Sequence, residues 1–131
     1  MIWREWNLKQ NIKDGGERIN YGESGAMREP TSGKGAYFLM SPLATDRLAK
    51  WFELGAQKYA CRNWEKGIPF SRLIDSAERH LNKFKMGLED EDHVIACAWN
   101  MLAIAHFEEL GRTDLDDMPH YLRESVDGQK G

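Results

Sequence analysis

Residues 71–111, SRLIDSAERHLNKFKMGLEDEDHVIACAWNMLAIAHFEELG, decide the fold class. Leu73, Ile74, Ala77, Leu81 and Phe84 recur at helical spacing and draw an apolar stripe on a helix of about Ser71 to Met86. Gly87 is a natural stop, since glycine takes the left-handed conformation that ends helices. The acidic connection LEDED leads into a second helix, about His93 to Leu110, stopped by Gly111. Asp90, Glu91 and Asp92 sit where a helix N-terminus favours negative charge. Between Val94 and Ala105 this second helix is apolar almost all round, so it needs cover on several sides. Its small residues, Ala96, Ala98, Ala103 and Ala105, permit close packing. Two such helices joined by a short turn predict an all-α, antiparallel bundle, with the surplus apolar face covered by another subunit.

Working outward, Ser41-Pro42 opens an earlier helix. Serine is a good N-cap, and proline fits a first turn where its missing N–H is not needed. Leu43, Leu48, Trp51, Phe52, Gly55 and Tyr59 keep the 3–4 spacing, and the pattern fades near Cys61. The loop RNWEKGIP, residues 62–69, follows. Residues 1–40 read as an irregular arm broken by glycines at 15, 16, 22, 25, 33 and 35 and by Pro30, with room for a short extended piece at Tyr37–Met40. Asp114 to Arg123 suggests one more short helix. The 131 residues suggest one domain: an arm over 1–40, a helical core over 41–111 and a tail over 112–131.

Composition narrows the function classes. With 41% hydrophobic and 30% charged residues the chain has the profile of a soluble globular protein. A net charge of −3 and a pI near 5.8 argue against a nucleic-acid polymer as partner, because that binding rests on a basic surface. The longest apolar run, Val94 to Ala105, is well short of the about 20 residues that span a bilayer. The N-terminal MIWREWNLKQ lacks the apolar core of a signal peptide. The two cysteines, Cys61 and Cys97, make no CxxC pair, and a reducing cytoplasm is the simplest reading.

The chemistry-bearing residues cluster between 53 and 93. Glu53 lies beside Trp51, Phe52 and Leu54. Asp75 and Glu78, at i, i+3, share a helix face, with His80 near its edge. Glu89, Asp90, Glu91, Asp92 and His93 follow. Three antiparallel helices can bring Glu53, Asp75 or Glu78, and Asp92 or His93 to one end. Carboxylate oxygens suit Mg²⁺ or Mn²⁺, and an added imidazole shifts the preference towards Mn²⁺ or other transition metals. Two plainer readings stand beside this: Asp75 and Arg79 as a surface ion pair at i, i+4, and Glu89–Asp92 as helix-start acids. His106 and His120 have no carboxylate partner in view and read as surface or packing residues.

Lys58, Arg62, Lys66 and Arg79 flank those carboxylates, the mixture that metal-assisted phosphate chemistry needs. Tyr59 and Trp64 can stack on a base and Asn63 can read a base edge. Alternatively, Trp64 packs the turn and Asn63 caps the first helix. The glycines of SGKG do not have the GxxxxGK[ST] spacing of a phosphate-binding loop.

The strings GAQKYACRNWEKGIPFSRLIDSAERHL (55–81) and GLEDEDHVIACAWNMLAIAHFEE (87–109), with the lead-in SGAMREPTSGKGAYFLMSP (24–42), resemble the phage-type dATP/dGTP diphosphohydrolase N-terminal domain. That domain is similar to the MazG-like all-α nucleotide pyrophosphohydrolases. The resemblance implies an oligomeric helical bundle, a dimer or tetramer. It implies hydrolysis of dGTP or dATP to the monophosphate and pyrophosphate with Mg²⁺ or Mn²⁺, acting on the phage nucleotide pool in the host cytoplasm. Carried onto this chain, it implies Glu53, Asp75, His80, Asp92 and His93 at the metal. Glu78 or Asp75 would act on the attacking water, and Lys58, Arg62, Asn63, Trp64 and Arg79 would contact the substrate. The chain departs from the MazG pattern of ExxE and ExxD pairs: Asp75–Glu78 and Glu89–Asp92 are the nearest strings, Asn100 stands where an acid is expected, and Ala96 where the family often has a second histidine. The rival class is a non-catalytic helical module that binds a nucleotide or a protein.

Overall fold

The structure, a computed structural model, describes residues 16–124. The outer parts of the expected arm and tail, 1–15 and 125–131, lie outside the described residues. Three helices carry the fold: α1 (Pro42–Lys58), α2 (Phe70–Met86) and α3 (His93–Glu109). The fold is therefore predominantly helical, as the periodicity predicts. Ser41 caps α1, its Oγ accepting from the Ala44 N–H at 3.1 Å. Helices α2 and α3 both end in a glycine at positive φ, Gly87 (φ 87°) and Gly111 (φ 71°). At each end the glycine N–H and the next N–H return to carbonyls of the last turn: Gly87 to Phe84 and Leu88 to Lys83, then Gly111 to Glu108 and Arg112 to Phe107. This is the Schellman arrangement, and it satisfies carbonyls that a helix end otherwise leaves open.

The chain divides into two compact units, one ending at Thr45 and one beginning at Asp46. In the first, the expected irregular arm holds a small antiparallel pair, β1 (Ile19–Asn20) and β2 (Met27–Arg28), in register Ile19 with Arg28 and Asn20 with Met27. Glu29 lies 3.3 Å from Lys34 and 3.9 Å from Arg18. The expected extended piece at Tyr37–Met40 is instead a single 3-10 turn over Tyr37–Leu39, because the Leu39 and Met40 N–H groups close back on Ala36 and Tyr37.

In the second unit α2 and α3 run antiparallel. Phe70 stacks on Phe107, Ser76 meets Asn100 and His80 meets His93, so one number falls as the other rises. Phe70, Leu73, Ala103, Ile104 and the fully buried Phe107 form the core, flanked by Trp64, Ile68, Ile74, Trp99, Leu115 and Met118. Helix α1 runs in the sense of α3, with Arg47 on Asp92 and Phe52 on Trp99, and buries none of its residues fully. Its predicted stripe is therefore only partly covered: Leu43 and Tyr59 are exposed. On α2, Leu81 and Phe84 lie beyond the covered turns and are half exposed.

The tail does not form the helix suggested for Asp114 to Arg123. It makes one 3-10 turn, Thr113–Leu115, and then wraps around Asp116. Asp116 accepts from the Met118 N–H at 3.2 Å and lies 2.7 Å from His120 Nε2, so His120 does have a carboxylate partner. An aspartate that takes the N–H two residues on competes with helix, and Pro119 has no N–H to continue one. The next residue, Asp117, does work usually done by a local cap: its carboxylate accepts from both the N–H and the hydroxyl of Ser71 at the start of α2. This partner is 46 positions away in sequence.

Replacing Phe107 by Ala removes the most deeply buried side chain, and large-to-small changes at such sites cost about 3–5 kcal/mol. Urea unfolding of Phe107→Ala should show a stability lower by that amount, read as a lower midpoint at an unchanged slope.

Candidate metal and nucleotide site

Helices α1 and α2, the loop between them and the start and middle of α3 enclose a cleft of about 1390 Å³. Of the residues the sequence nominates, Glu53, Lys58, Arg62, Asn63, Trp64, Arg79, His80 and Asp92 line it. His93 is buried directly behind His80. Asp75 and Glu78 are exposed and are not among the lining residues.

Among the described residues, the His, Cys, Asp and Glu side chains that gather into one group are His80, Glu91 and His93, whose ligand atoms lie within 4.8 Å of one another. The antiparallel register makes this group. His80 Nδ1 is 2.9 Å from His93 Nδ1, and His93 Nε2 is 2.8 Å from Asp90 Oδ1. Asp90 is held below the usual carboxylate range, first by its hydrogen bond with His93. It is therefore the acceptor, and His93 Nε2–H donates to it. One hydrogen lies between the two Nδ1 atoms, one ring donating and the other accepting. His80 is pushed below the ordinary imidazole range, mainly by burial, with Glu91 opposing and His93, Lys83 and Arg79 adding. Trp51 packs edge-on against His80, ring centres 6.1 Å apart, and closes that side.

This donor set fits a divalent cation. Two imidazole nitrogens bound to one ion at ordinary bond lengths sit about 3 Å apart. A carboxylate on the second nitrogen of a ligating histidine is the usual outer support, and Asp90 supplies it. Two imidazoles and one carboxylate suit Mn²⁺ and later transition metals better than Mg²⁺.

The structure separates the remaining nominated acids from this group. Asp75 is taken by the Arg79 guanidinium on the outside of α2. That is the surface-pair alternative. Asp92 is bound by Arg47, Nε to Oδ2 3.0 Å, and its Oδ1 also accepts from the Ile95 N–H at 3.3 Å, so it caps α3 and ties it to α1. Glu53 faces the cleft from α1 with no ion-pair partner among the described residues. The gathered carboxylate is Glu91, which the sequence places only among helix-start acids. Asp92 stands at the N-cap of α3 and is also reached by Arg47, while Glu91, one residue earlier, has neither contact among the described residues.

Trp64 is spent largely on packing. Its ring makes edge contacts with Phe52, Trp99, His106 and Phe107 at centroid distances of 4.8 to 6.1 Å. Among the cleft cations Arg62 pairs with Glu65 and Arg79 with Asp75. Lys58 lies over the Tyr59 ring at 5.3 Å. Lys58 and Arg72 have no ion-pair partner among the described residues. Arg72, Ser76 and Asn100 line the cleft although sequence spacing gives no reason to single them out.

A profile of the family described as "dATP/dGTP diphosphohydrolase, N-terminal" matches residues 24–118, which take in part of each unit and every residue that lines the cleft. The chain belongs to the dATP/dGTP diphosphohydrolase N-terminal domain family. A protein of Salmonella phage PMBT28 described as a dATP/dGTP diphosphohydrolase is 32% identical over 60 residues. That match takes in 46% of this chain and 20% of the phage protein, so the similarity spans a fifth of that relative's length. No solved structure matches significantly.

The hydrogen bond from Arg47 holds Asp92 below the ordinary carboxylate range. A depressed carboxylate stabilises the fold above its unfolded value of about 3.9, and that contribution is lost as pH falls through the lower folded value. Thermal unfolding should therefore find Arg47→Ala less stable than wild type at pH 7, with the gap closing below about pH 4.

Proposed function

We propose that this chain hydrolyses purine deoxynucleoside triphosphates, dGTP or dATP, to the monophosphate and pyrophosphate, with a divalent cation, Mn²⁺ or Mg²⁺, held by His80, Glu91 and His93. The observation that carries this reading is the proximity of that group to two cations, Lys58 and Arg72, without ion-pair partners in the same cleft. Family membership supports the substrate class. The bound cation would offset phosphate charge and acidify a water molecule.

The chain's own residues have separable tasks. Lys58 and Arg72, with Arg62, neutralise the triphosphate, whose leaving pyrophosphate gains charge as it departs. Water adds to the α-phosphorus and the bond to the bridging oxygen of the β-phosphate breaks. Glu53, free of an ion pair and facing the cleft, takes the proton from that water. Asp75 and Glu78 were expected in this role, but both point away from the cleft, so we assign it to Glu53. Asn63 lines the wall where a base or sugar would lie.

The same reading takes the chain as a homo-oligomer, a dimer or tetramer. Val94, Ala98, Met101, Leu102 and Ala105 recur along one exposed face of α3, and water-exposed apolar stripes of this kind call for cover. It places the protein in the cytoplasm, working on the phage nucleotide pool, without a nucleic-acid polymer or membrane as partner. The acidic balance supports this, as does the lack, among the described residues, of any helix long and apolar enough to cross a membrane.

The decisive assay is release of pyrophosphate, rather than orthophosphate, from dGTP or dATP with Mn²⁺ present; no release from any deoxynucleoside triphosphate would sink the enzyme reading. Asp90→Asn should weaken Mn²⁺ binding by about 10–100-fold, the usual cost of losing such a support. The binding-module alternative has one observation in its favour: among the described residues, Glu91 is the one carboxylate grouped with the histidine pair as a possible ligand, Asp90 being held on the far side of His93. On that alternative Mn²⁺ and dGTP together raise the melting temperature by mass action, yet no pyrophosphate appears.

A further inference from the structure

Asn100 is a primary amide in the most apolar helix of the chain, and it is 5% exposed. Its Nδ2 donates both hydrogens, one to the Ala96 carbonyl at 2.8 Å and one to Ser76 Oγ at 3.2 Å. A backbone carbonyl can only accept, so the Ala96 bond fixes which end of the amide is nitrogen. Oδ1 then has no hydrogen-bond partner among the described residues. No fully buried side-chain nitrogen or oxygen lacks a partner, so Oδ1 reaches the accessible edge of the residue. Asn100 and Ser76 both line the cleft, and that is the accessible side. Ser76 Oγ accepts from Asn100, and its own hydrogen has no acceptor among the described residues.

A buried amide kept only to join α2 to α3 would satisfy its acceptor as well as its donor, since an open acceptor loses the bond that offsets its burial. Here the donor end is used up inside the protein and the acceptor end is left for the cleft. Beside it stands a hydroxyl free to donate. Ser76 is one turn from His80 on α2, and Asn100 two turns from His93 on α3. The pair therefore lies about 6 to 10 Å along the groove from the histidines, the scale of one nucleoside.

The geometry points to Ser76 and Asn100 as the specificity-determining pair that reads the base edge of the nucleotide: Asn100 Oδ1 accepts a base N–H, and the Ser76 hydroxyl donates to the neighbouring ring acceptor. Adenine offers this arrangement as its 6-amino group beside a ring nitrogen. Guanine offers it as N1–H beside O6. The pair thus admits both purines and penalises a purine that lacks the hydrogen donor. This rests on the nucleotide reading of the cleft.

The test compares dATP with the triphosphate of 2′-deoxyribosylpurine, which lacks the 6-amino group, in the wild type, Ser76→Ala and Asn100→Leu. One lost base contact of this kind should lower kcat/KM for the analogue about 5- to 150-fold in the wild type. In Asn100→Leu the ratio should collapse towards one, mostly by loss of activity on dATP, whereas Ser76→Ala removes a contact to the ring acceptor that both nucleotides keep and should lower kcat/KM for both by a similar factor, about 5- to 150-fold. An unaltered melting-temperature rise with Mn²⁺ shows that the cation site survives in each variant. Ser76→Ala, at a partly exposed position, remains informative if Asn100→Leu does not fold. A wild-type ratio near one, a ratio that persists in a folded Asn100→Leu, or undiminished kcat/KM for both nucleotides in Ser76→Ala overturns the inference while pyrophosphate release upholds the hydrolase reading. If neither nucleotide is hydrolysed or bound by the wild type, both fall.

Discussion

Three contacts hold α2 and α3 in register: Phe70 on Phe107, Ser76 on Asn100, and His80 on His93. They form a ladder from the apolar core to the polar mouth of the cleft, and the lower rungs position the upper ones. Because protein interiors are close-packed, a helix cannot slide by a residue without opening voids around Phe107 and Leu73. The separation of the two histidine rings is therefore set by packing several turns away. A metal or proton site built on two facing helices inherits its precision from such a core, and this chain has few other means of supplying it, since its remaining polar groups sit on loops and on the lightly packed α1.

Helix α1 is the counterpart of that rigidity. None of its residues is fully buried, and it is joined to the α2–α3 pair by edge contacts of Trp51 and Phe52 and by the Arg47–Asp92 bond. Few buried contacts mean a low local free energy of opening. One wall of the cleft is thus firm and carries the histidines, while the opposite wall, with Glu53 and Lys58, is held mainly by its middle turns.

Charge in the cleft is arranged by pairing. Arg62 and Arg79 each have an acid, which leaves Lys58 and Arg72 as the cleft cations without an ion-pair partner among the described residues, and Arg47 takes Asp92 from α1. The same pairing removes Asp75 and Asp92 from the ligand set. Of the acids that line the cleft, Glu53 and Glu91 have no ion-pair partner among the described residues, while Glu65, Asp90 and Asp92 are each paired.

The helices, their ends and the all-α class were legible in the sequence because each depends on neighbours within one turn: the 3–4 recurrence of Leu73, Ile74 and Ala77, the hydroxyl of Ser41, and the glycines at 87 and 111 that alone relax into positive φ. That His80 and His93 would meet was legible for a related reason, since a six-residue turn between two helices allows little freedom in which ends meet. The choice of Glu91 over Asp92 was not legible, nor was the capture of Asp75, the capping of α2 by Asp117, or the amide of Asn100 turned towards the cleft. Each of these depends on the rotation of one helix about its axis or on a partner tens of residues away, such as the guanidinium of Arg47 that reaches Asp92 from α1. Local periodicity by itself determined what this chain could build; the packing of α2, α3 and α1 decided which of its acids, imidazoles and amides face a common space.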